Sequence, residues 1–411
     1  MKRPFAALIS LAAVLAVHAE PLTPARITEW RARIRANFFI DPVPALDLRA
    51  HRAFSPAPGV RAEALTYATT LGARVPAILY LPDPLPPGGK MPGFIVVNGH
   101  GGDKFSWYAY MTGIAFARAG AAVLTYDPAG EGERSALRQS GTRDHDKLKG
   151  GEALARRLAG LMITEVMQAV SVLAARPEVD PARIGAGGYS MGSFVLALAG
   201  AVEPRLRACV LVGGGNLSGD GDHWSRSKPM CQALPWRSLS FLGEDRGGMI
   251  YALHAARGPT LVWNGRADTV VEIPRTQEPF FTALRERVVA LRGTAAGVFE
   301  FGFTDRTSHR PYWLEKPAAL WLERTLDFPN WTTASLGALD GLHIGPWAAR
   351  TGHPMDKLYA TGEREGGTRA VTDDVPAITR ERLSVFSPAE WEREKSRLVL
   401  DSWAAAARVA P

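Results

Sequence analysis

The stretch that decides the fold is "RIGAGGYSMGSFVLALAG", Arg183 to Gly200. An apolar segment runs into small residues and out into a second apolar segment, with Ser190 at the centre. Gly188-Tyr189-Ser190-Met191-Gly192 fits G-x-S-x-G, in which a sharp strand-to-helix turn lifts a serine hydroxyl clear of a sheet. Small residues on both sides are the steric condition for that turn. Taken alone they mark only a tight turn, so the role of Ser190 depends on what the rest of the chain supplies.

Outward from this elbow, short apolar runs alternate with helical patterns, the signature of a largely parallel sheet. The runs predict strands at Gly93–Val97, Ala121–Tyr126, Ile184–Gly187, Ala208–Val212, Thr260–Trp263 and Val298–Phe303. Helical spacing lies between most of them, around Tyr108–Ala119, Glu152–Ala175, Ser193–Ala201 and Arg275–Leu291. The elbow therefore falls at the carboxyl end of the third parallel strand, where an open α/β sheet places its ligands.

Upstream, Arg61 to Pro82 reads as two strands joined through Leu71-Gly72, an antiparallel hairpin, and Pro82 to Pro92 as a surface loop. The segment 20–60 reads as helical: Thr23 as N-cap, Pro24 at the first helical position, and Ile27, Trp30, Ile34 and Phe38 on a docking face. Residues 61–328 make the expected catalytic domain. Within it, 216–257 is long, irregular and Trp-bearing, and is expected to be a lid, a substrate wall or a simple surface excursion. Residues 329–411 form a C-terminal extension on the core, with a capped helix starting at Ser387-Pro388 and Glu390. Neither an internal repeat nor a low-complexity tract is visible.

A serine hydroxyl is a weak nucleophile until a base takes its proton, and the base needs an acid to hold its tautomer. On α/β-hydrolases the chain order is Ser, then Asp or Glu, then His. In "TLVWNGRADTVV" an apolar strand leads into a turn with Asp268 at the strand's carboxyl end; Asp127 after "VLTY" precedes the serine and fails the order. In "VFEFGFTDRTSHRPYW" the last strand is followed by a polar loop with His309. The other eight histidines precede the serine, lie in the insertion, or fall beyond the core. Backbone donors for an oxyanion are expected from Met191, the residue after the nucleophile, and from His100, with Gly101 next, where "FIVV" leads into Asn98-Gly99-His100-Gly101-Gly102. The loop "YDPAGEGERS" carries Arg134 on the same edge, placed to meet a substrate carboxylate unless the loop pairs with itself. Trp224, with Trp107 and Trp236, offers a ring for stacking on a sugar, or merely a core residue.

Composition bounds the rest. Met1 to Ala19, "MKRPFAALISLAAVLAVHA", has the charged start, apolar run and small-x-small end of a secretory signal peptide, and the apolar run is too short to span a bilayer. The mature chain of roughly 390 residues is therefore expected in the periplasm or outside the cell, with no membrane attachment after cleavage, since no later apolar run reads as long enough to span. The formal charge of +7 falls by two when Lys2 and Arg3 leave, and the remaining arginines are scattered among acids, so no nucleic-acid footprint is present. Only Cys209 and Cys231 occur; Cys209 sits in the apolar run "ACVLVGGG", facing the core, which argues against a disulfide. Two thiols do not make a metal site, and "GDGDHW" lacks the downstream ligands of a calcium loop, so neither metal nor organic cofactor is expected.

On "VVNGHGGDK", "YDPAGEGER", "GGYSMGS", "NGRADTVV" and "SHRPYW", the chain resembles the α/β-hydrolase superfamily. More closely, it resembles bacterial exported esterases of the dienelactone-hydrolase and acetyl xylan esterase-like kind, over roughly Arg61 to Leu326. The resemblance implies Ser190 as nucleophile, Asp268 as acid, His309 as base, and the His100 and Met191 amides as oxyanion donors. It implies an ester of short acyl type, acetyl-like, on a small molecule or carbohydrate. Asn98-Gly99 stands where many relatives have His-Gly, and neither 216–257 nor the tail maps to a known role, so acyl and alcohol specificity stay open. The competing readings are a serine peptidase on the same fold, an esterase for bulkier acidic-sugar esters, and a binding protein on a dead hydrolase scaffold.

Overall fold

The computed structural model describes residues 21–86, 89–255, 257–294, 297–305, 307–353 and 369–410. The expected signal peptide, Met1 to Ala19, lies outside the described residues, as do 87–88 of the expected loop.

Helix α1 (Pro24–Asn37) starts where Thr23 accepts from the Arg26 amide at 3.2 Å, and it buries Ile27, Trp30 and Ile34. Three antiparallel strands follow: β1 (Arg49–Ala57), β2 (Val60–Ala68) and β3 (Arg74–Pro82). The β2–β3 turn passes through Leu71 and Gly72, both at positive φ. The first strand corrects the reading of 20–60 as helical. Its sequence "RAHRAFSPA" is charged and largely exposed, because it is the edge of the sheet and buries only its last residues.

The alternation then runs β4 (Met91–Val97), α2 (Trp107–Arg118), β5 (Ala122–Tyr126), α3 (Glu152–Ala174), β6 (Val179–Tyr189), α4 (Met191–Val202), β7 (Leu206–Val212). It continues with α5 (Arg246–Ala255), β8 (Thr260–Gly265), α6 (Ile273–Arg292), β9 (Phe299–Thr304) and α7 (Lys316–Leu326). The nine strands form one sheet in the order β1-β2-β3-β5-β4-β6-β7-β8-β9. From β5 to β9 all neighbours are parallel, while β3 joins β5 antiparallel. This mostly parallel sheet, flanked by helices, is the α/β-hydrolase fold.

Two apolar clusters hold the layers together. One gathers residues of α1, α3, α4, α5 and α6; the other gathers α2, α7 and most of the C-terminal extension. Helix α3 is long and apolar enough to cross a membrane by composition, which the sequence reading did not anticipate; 83% of its most apolar window is buried inside the protein. Helix α5 corrects the reading of 216–257 as irregular. It is the crossover between β7 and β8, and Ile250, Tyr251 and Leu253 are buried in the core. The extension wraps the domain: its capping box pairs the Ser387 amide with Glu390 Oε2 at 2.8 Å, and farther on Trp403 donates to Thr70 Oγ1 at 2.9 Å.

Candidate active site

Strand β6 ends at Tyr189 and α4 begins at Met191, so the whole reversal falls on Ser190, which sits at φ 56° and ψ −119°. A non-glycine residue in that region is strained, and the strain persists only where the surroundings over-determine it. Here they do. The Ser190 amide donates to the Val212 carbonyl at 2.9 Å, tying the elbow to the end of β7. Gly192 lies so close to the end of β4 that a Cβ there would be 2.1 Å from the Val97 carbonyl oxygen. Gly99 also approaches the elbow closely, since a Cβ on it would be 2.7 Å from the Tyr189 carbonyl oxygen and 2.9 Å from Ser190 Cβ. The loop after β4 is therefore pressed against the serine, and Asn98 anchors it by donating to the Tyr126 carbonyl at 3.0 Å.

Asp268 lies in the turn after β8, is fully buried, and accepts the Val270 and Val271 amides on Oδ1 at 2.9 and 3.3 Å. Its other oxygen, Oδ2, is 2.7 Å from His309 Nδ1. Tyr189 clamps the His309 loop from below: its hydroxyl donates to the His309 carbonyl at 3.2 Å and its ring lies 4.9 Å from the imidazole. A carboxylate can only accept, so His309 carries a proton on Nδ1, and in its neutral form Nε2 is the free lone pair.

Ser190 and His309 both line one cavity of about 800 Å³. Its walls come from the loop after β4, the start of α2, the insertion (His223, Trp224, Ser227, Lys228, Gln232) and the C-terminal extension (Ile378, Thr379, Arg380, Leu383). His223 and His353, which the sequence reading set aside, and Arg143, which it passed over, also face it. No carboxylate is among the described residues lining the cavity, whereas Arg143, Lys228, Arg310 and Arg380 are. Burial lowers the pKa of His223 and of His353, favouring their neutral forms.

Three sequence expectations change here. Arg134 is not at the cavity: it is 1% exposed and its guanidinium pairs with Glu165 at 2.5 Å inside the core. The loop pairs with itself and its neighbours instead, with Lys104 against Glu133 at 2.9 Å and against Asp127. Trp224 borders the cavity but has no exposed face. Its ring stacks on Phe194 at 5.1 Å and its N–H donates to Asn216 Oδ1 at 3.1 Å, so it holds the wall rather than a sugar. Gly101, the second choice for an oxyanion donor, gives its amide to Glu131 Oε1 at 3.0 Å. The two cysteines are both free and buried.

The fold and this arrangement define an α/β-hydrolase, and residues 43–212 match the family model described as acetyl xylan esterase (AXE1). That match points to a carboxylic ester hydrolase of that fold. Among solved structures it is similar to a methylesterase at 20% identity and TM-score 0.60, covering 93% of this chain and 73% of the other. It is also similar to a glucuronoyl esterase from Solibacter usitatus at 14% identity and TM-score 0.50, covering 74% and 93%. No curated protein sequence matches it.

Proposed function

We propose that the chain is a serine esterase that cleaves short acyl esters of carbohydrates through an acyl-enzyme on Ser190. The observation that carries the mechanism is the Asp268–His309 hydrogen bond, which leaves Nε2 of His309 as a lone pair in the cavity that the elbow serine also lines. Nε2 takes the Ser190 proton as Oγ attacks the ester carbonyl carbon. Catalytic pairs reach hydrogen-bond distance for this transfer when substrate binds. The carbonyl oxygen becomes an oxyanion, held by the amides of Met191 and His100. Met191 opens α4, where the first amides have no partner within the helix, and Gly101 is committed to Glu131. The tetrahedral intermediate expels the alcohol, which takes the proton from His309. Water then attacks the acyl-serine, His309 accepts its proton, and the acid leaves as Ser190 recovers its hydrogen.

Export to the periplasm or beyond, by way of Met1 to Ala19, is part of the same proposal. A second reading, an ester of an acidic sugar, is favoured by one observation: the cavity is lined by Arg143, Lys228 and Arg380 and by no described carboxylate. A guanidinium meets a uronate in bidentate fashion.

The test is p-nitrophenol release from acetate, butyrate and octanoate esters by the full chain beside Ser190→Ala, with a peptide p-nitroanilide and a partly methyl-esterified oligouronate, which keeps free carboxylates beside its esters, as further substrates. Turnover of acetate above octanoate that vanishes in the variant supports the short-acyl reading. Preference for the partly esterified oligouronate, lost in Arg380→Gln, supports the second. Hydrolysis that survives in Ser190→Ala sinks the serine mechanism.

A further inference from the structure

Beside the cavity, at the back of the loop after β4, four side chains from three separate segments converge. His100 follows β4, His145 and Asp146 lie in the short helical turn Asp144–Lys147, and Cys231 lies in the insertion at Pro229–Ala233. One ligand atom from each lies within 4.8 Å of all the others. His100 Nε2 is 3.3 Å from both Cys231 Sγ and Asp146 Oδ1, Cys231 Sγ is 3.3 Å from Asp146 Oδ1, and His145 Nε2 is 3.8 Å from Asp146 Oδ1. Metal–ligand bonds of ~2.0–2.3 Å at a tetrahedral ion imply ligand–ligand edges of roughly 3.3–3.8 Å, which these four pairs meet, while His145 Nε2 lies within 4.8 Å of the other two ligands.

A second observation points the same way. His145 is fully buried and its Nδ1 is 2.9 Å from the Ala129 carbonyl, which can only accept, so the ring proton sits on Nδ1. Its Nε2 has no hydrogen-bond partner and faces the cluster, 3.8 Å from Asp146 Oδ1. A buried lone pair aimed at a carboxylate is unfavourable unless a cation lies between them. The backbone hydrogen bond on the far nitrogen is also how a metal-binding imidazole is usually oriented. Lys228, at 3.8 Å, approaches the other carboxylate oxygen, Oδ2, and leaves Oδ1 to the cluster.

We propose that the chain binds one zinc ion through His100 Nε2, His145 Nε2, the Asp146 carboxylate and the Cys231 thiolate. Two imidazoles and a thiolate select a borderline ion of the zinc kind over magnesium or calcium. Four protein ligands close the shell, so the ion is structural and the Cys231 proton passes to solvent on binding. It fastens the insertion wall and the turn 144–147 to the loop that carries the His100 amide. Zinc binding itself does not depend on the esterase reading.

The test uses the full chain, stripped with a chelator, loaded with Zn2+ and passed through a desalting column. Elemental analysis is expected to find one zinc per chain in the parent and in Ser190→Ala. Competition with a chromophoric chelator is expected to show affinity at least about tenfold weaker in His145→Ala and Cys231→Ala. Should those variants not fold, Co2+ loading of the parent decides: intense tetrahedral bands with a thiolate-to-cobalt charge-transfer band support the site. A weak octahedral spectrum without that band overturns it, as does a parent that retains no more zinc than His145→Ala/Cys231→Ala.

Discussion

Replacing Asp268 by asparagine tests the site through a single hydrogen bond, and the structure dictates which way the new amide must face. Oδ1 of Asp268 receives the amides of Val270 and Val271 at 2.9 and 3.3 Å, so that position must remain an acceptor. The asparagine NH2 is thereby forced onto the position of Oδ2, 2.7 Å from His309 Nδ1, where it donates. His309 then keeps its proton on Nε2 and can no longer take one from Ser190. In a Ser-His-Asp constellation this inversion lowers kcat by roughly 10⁴, about 5.5 kcal/mol of transition-state stabilisation at ~1.4 kcal/mol per decade. The assay is p-nitrophenyl acetate hydrolysis at saturation, with a thermal melt to confirm that the buried site still folds. KM is expected to change little, because the lost interaction belongs to the transition state. A folded Asp268→Asn protein within tenfold of the parent kcat would refute the assignment of His309 as base.

Three further substitutions probe how the site is held. Gly192→Ala drives a methyl to 2.1 Å from the Val97 carbonyl oxygen, so denaturant titration is expected to show a loss of about 1–3 kcal/mol or more, with activity falling alongside. Arg134→Ala leaves Glu165 buried and unpaired; the expected result is a loss of about 3–5 kcal/mol in stability, and a rise in KM at unchanged melting temperature would restore Arg134 to the substrate site. Burial, with the nearby charge of Asp103, pushes Glu131 up from 4.5 to about 8, so the folded state favours its protonated form. Its contribution to stability is present below pH 4.5 and is lost as pH rises through about 8. Glu131→Gln, neutral throughout and still an acceptor for Gly101 and Arg143, is therefore expected to melt above the parent at alkaline pH and level with it in acid. Equal melting temperatures across that range would contradict the shift.

The elbow, the strand alternation and the order Ser190, Asp268, His309 were legible because each depends on local chemistry: small residues at a turn, apolar runs, polar loops after strands. What escaped depends on distant partners. Strand β1 hides its nature because an edge strand need not be apolar, and α5 starts "RGGMIYALHA", where two glycines mask a core helix. Arg134 reads as a surface cation because nothing nearby in sequence announces Glu165, 31 residues on, as its buried partner. Asp146 and Cys231 lie 85 residues apart, so their meeting beside His100 has no signature along the chain. The cationic lining likewise assembles from Arg143, Lys228 and Arg380, contributed by three segments that only the fold brings together.

The most direct test of the account is to treat the full chain with a fluorophosphonate, which reacts only with a hydroxyl activated by a base, and to map the adduct by peptide mass spectrometry. One adduct is expected, on Ser190, formed in step with the loss of ester hydrolysis and absent when His309→Ala is treated in the same way. Hydrolysis that persists in the fully labelled protein, or an adduct on another residue, would contradict it.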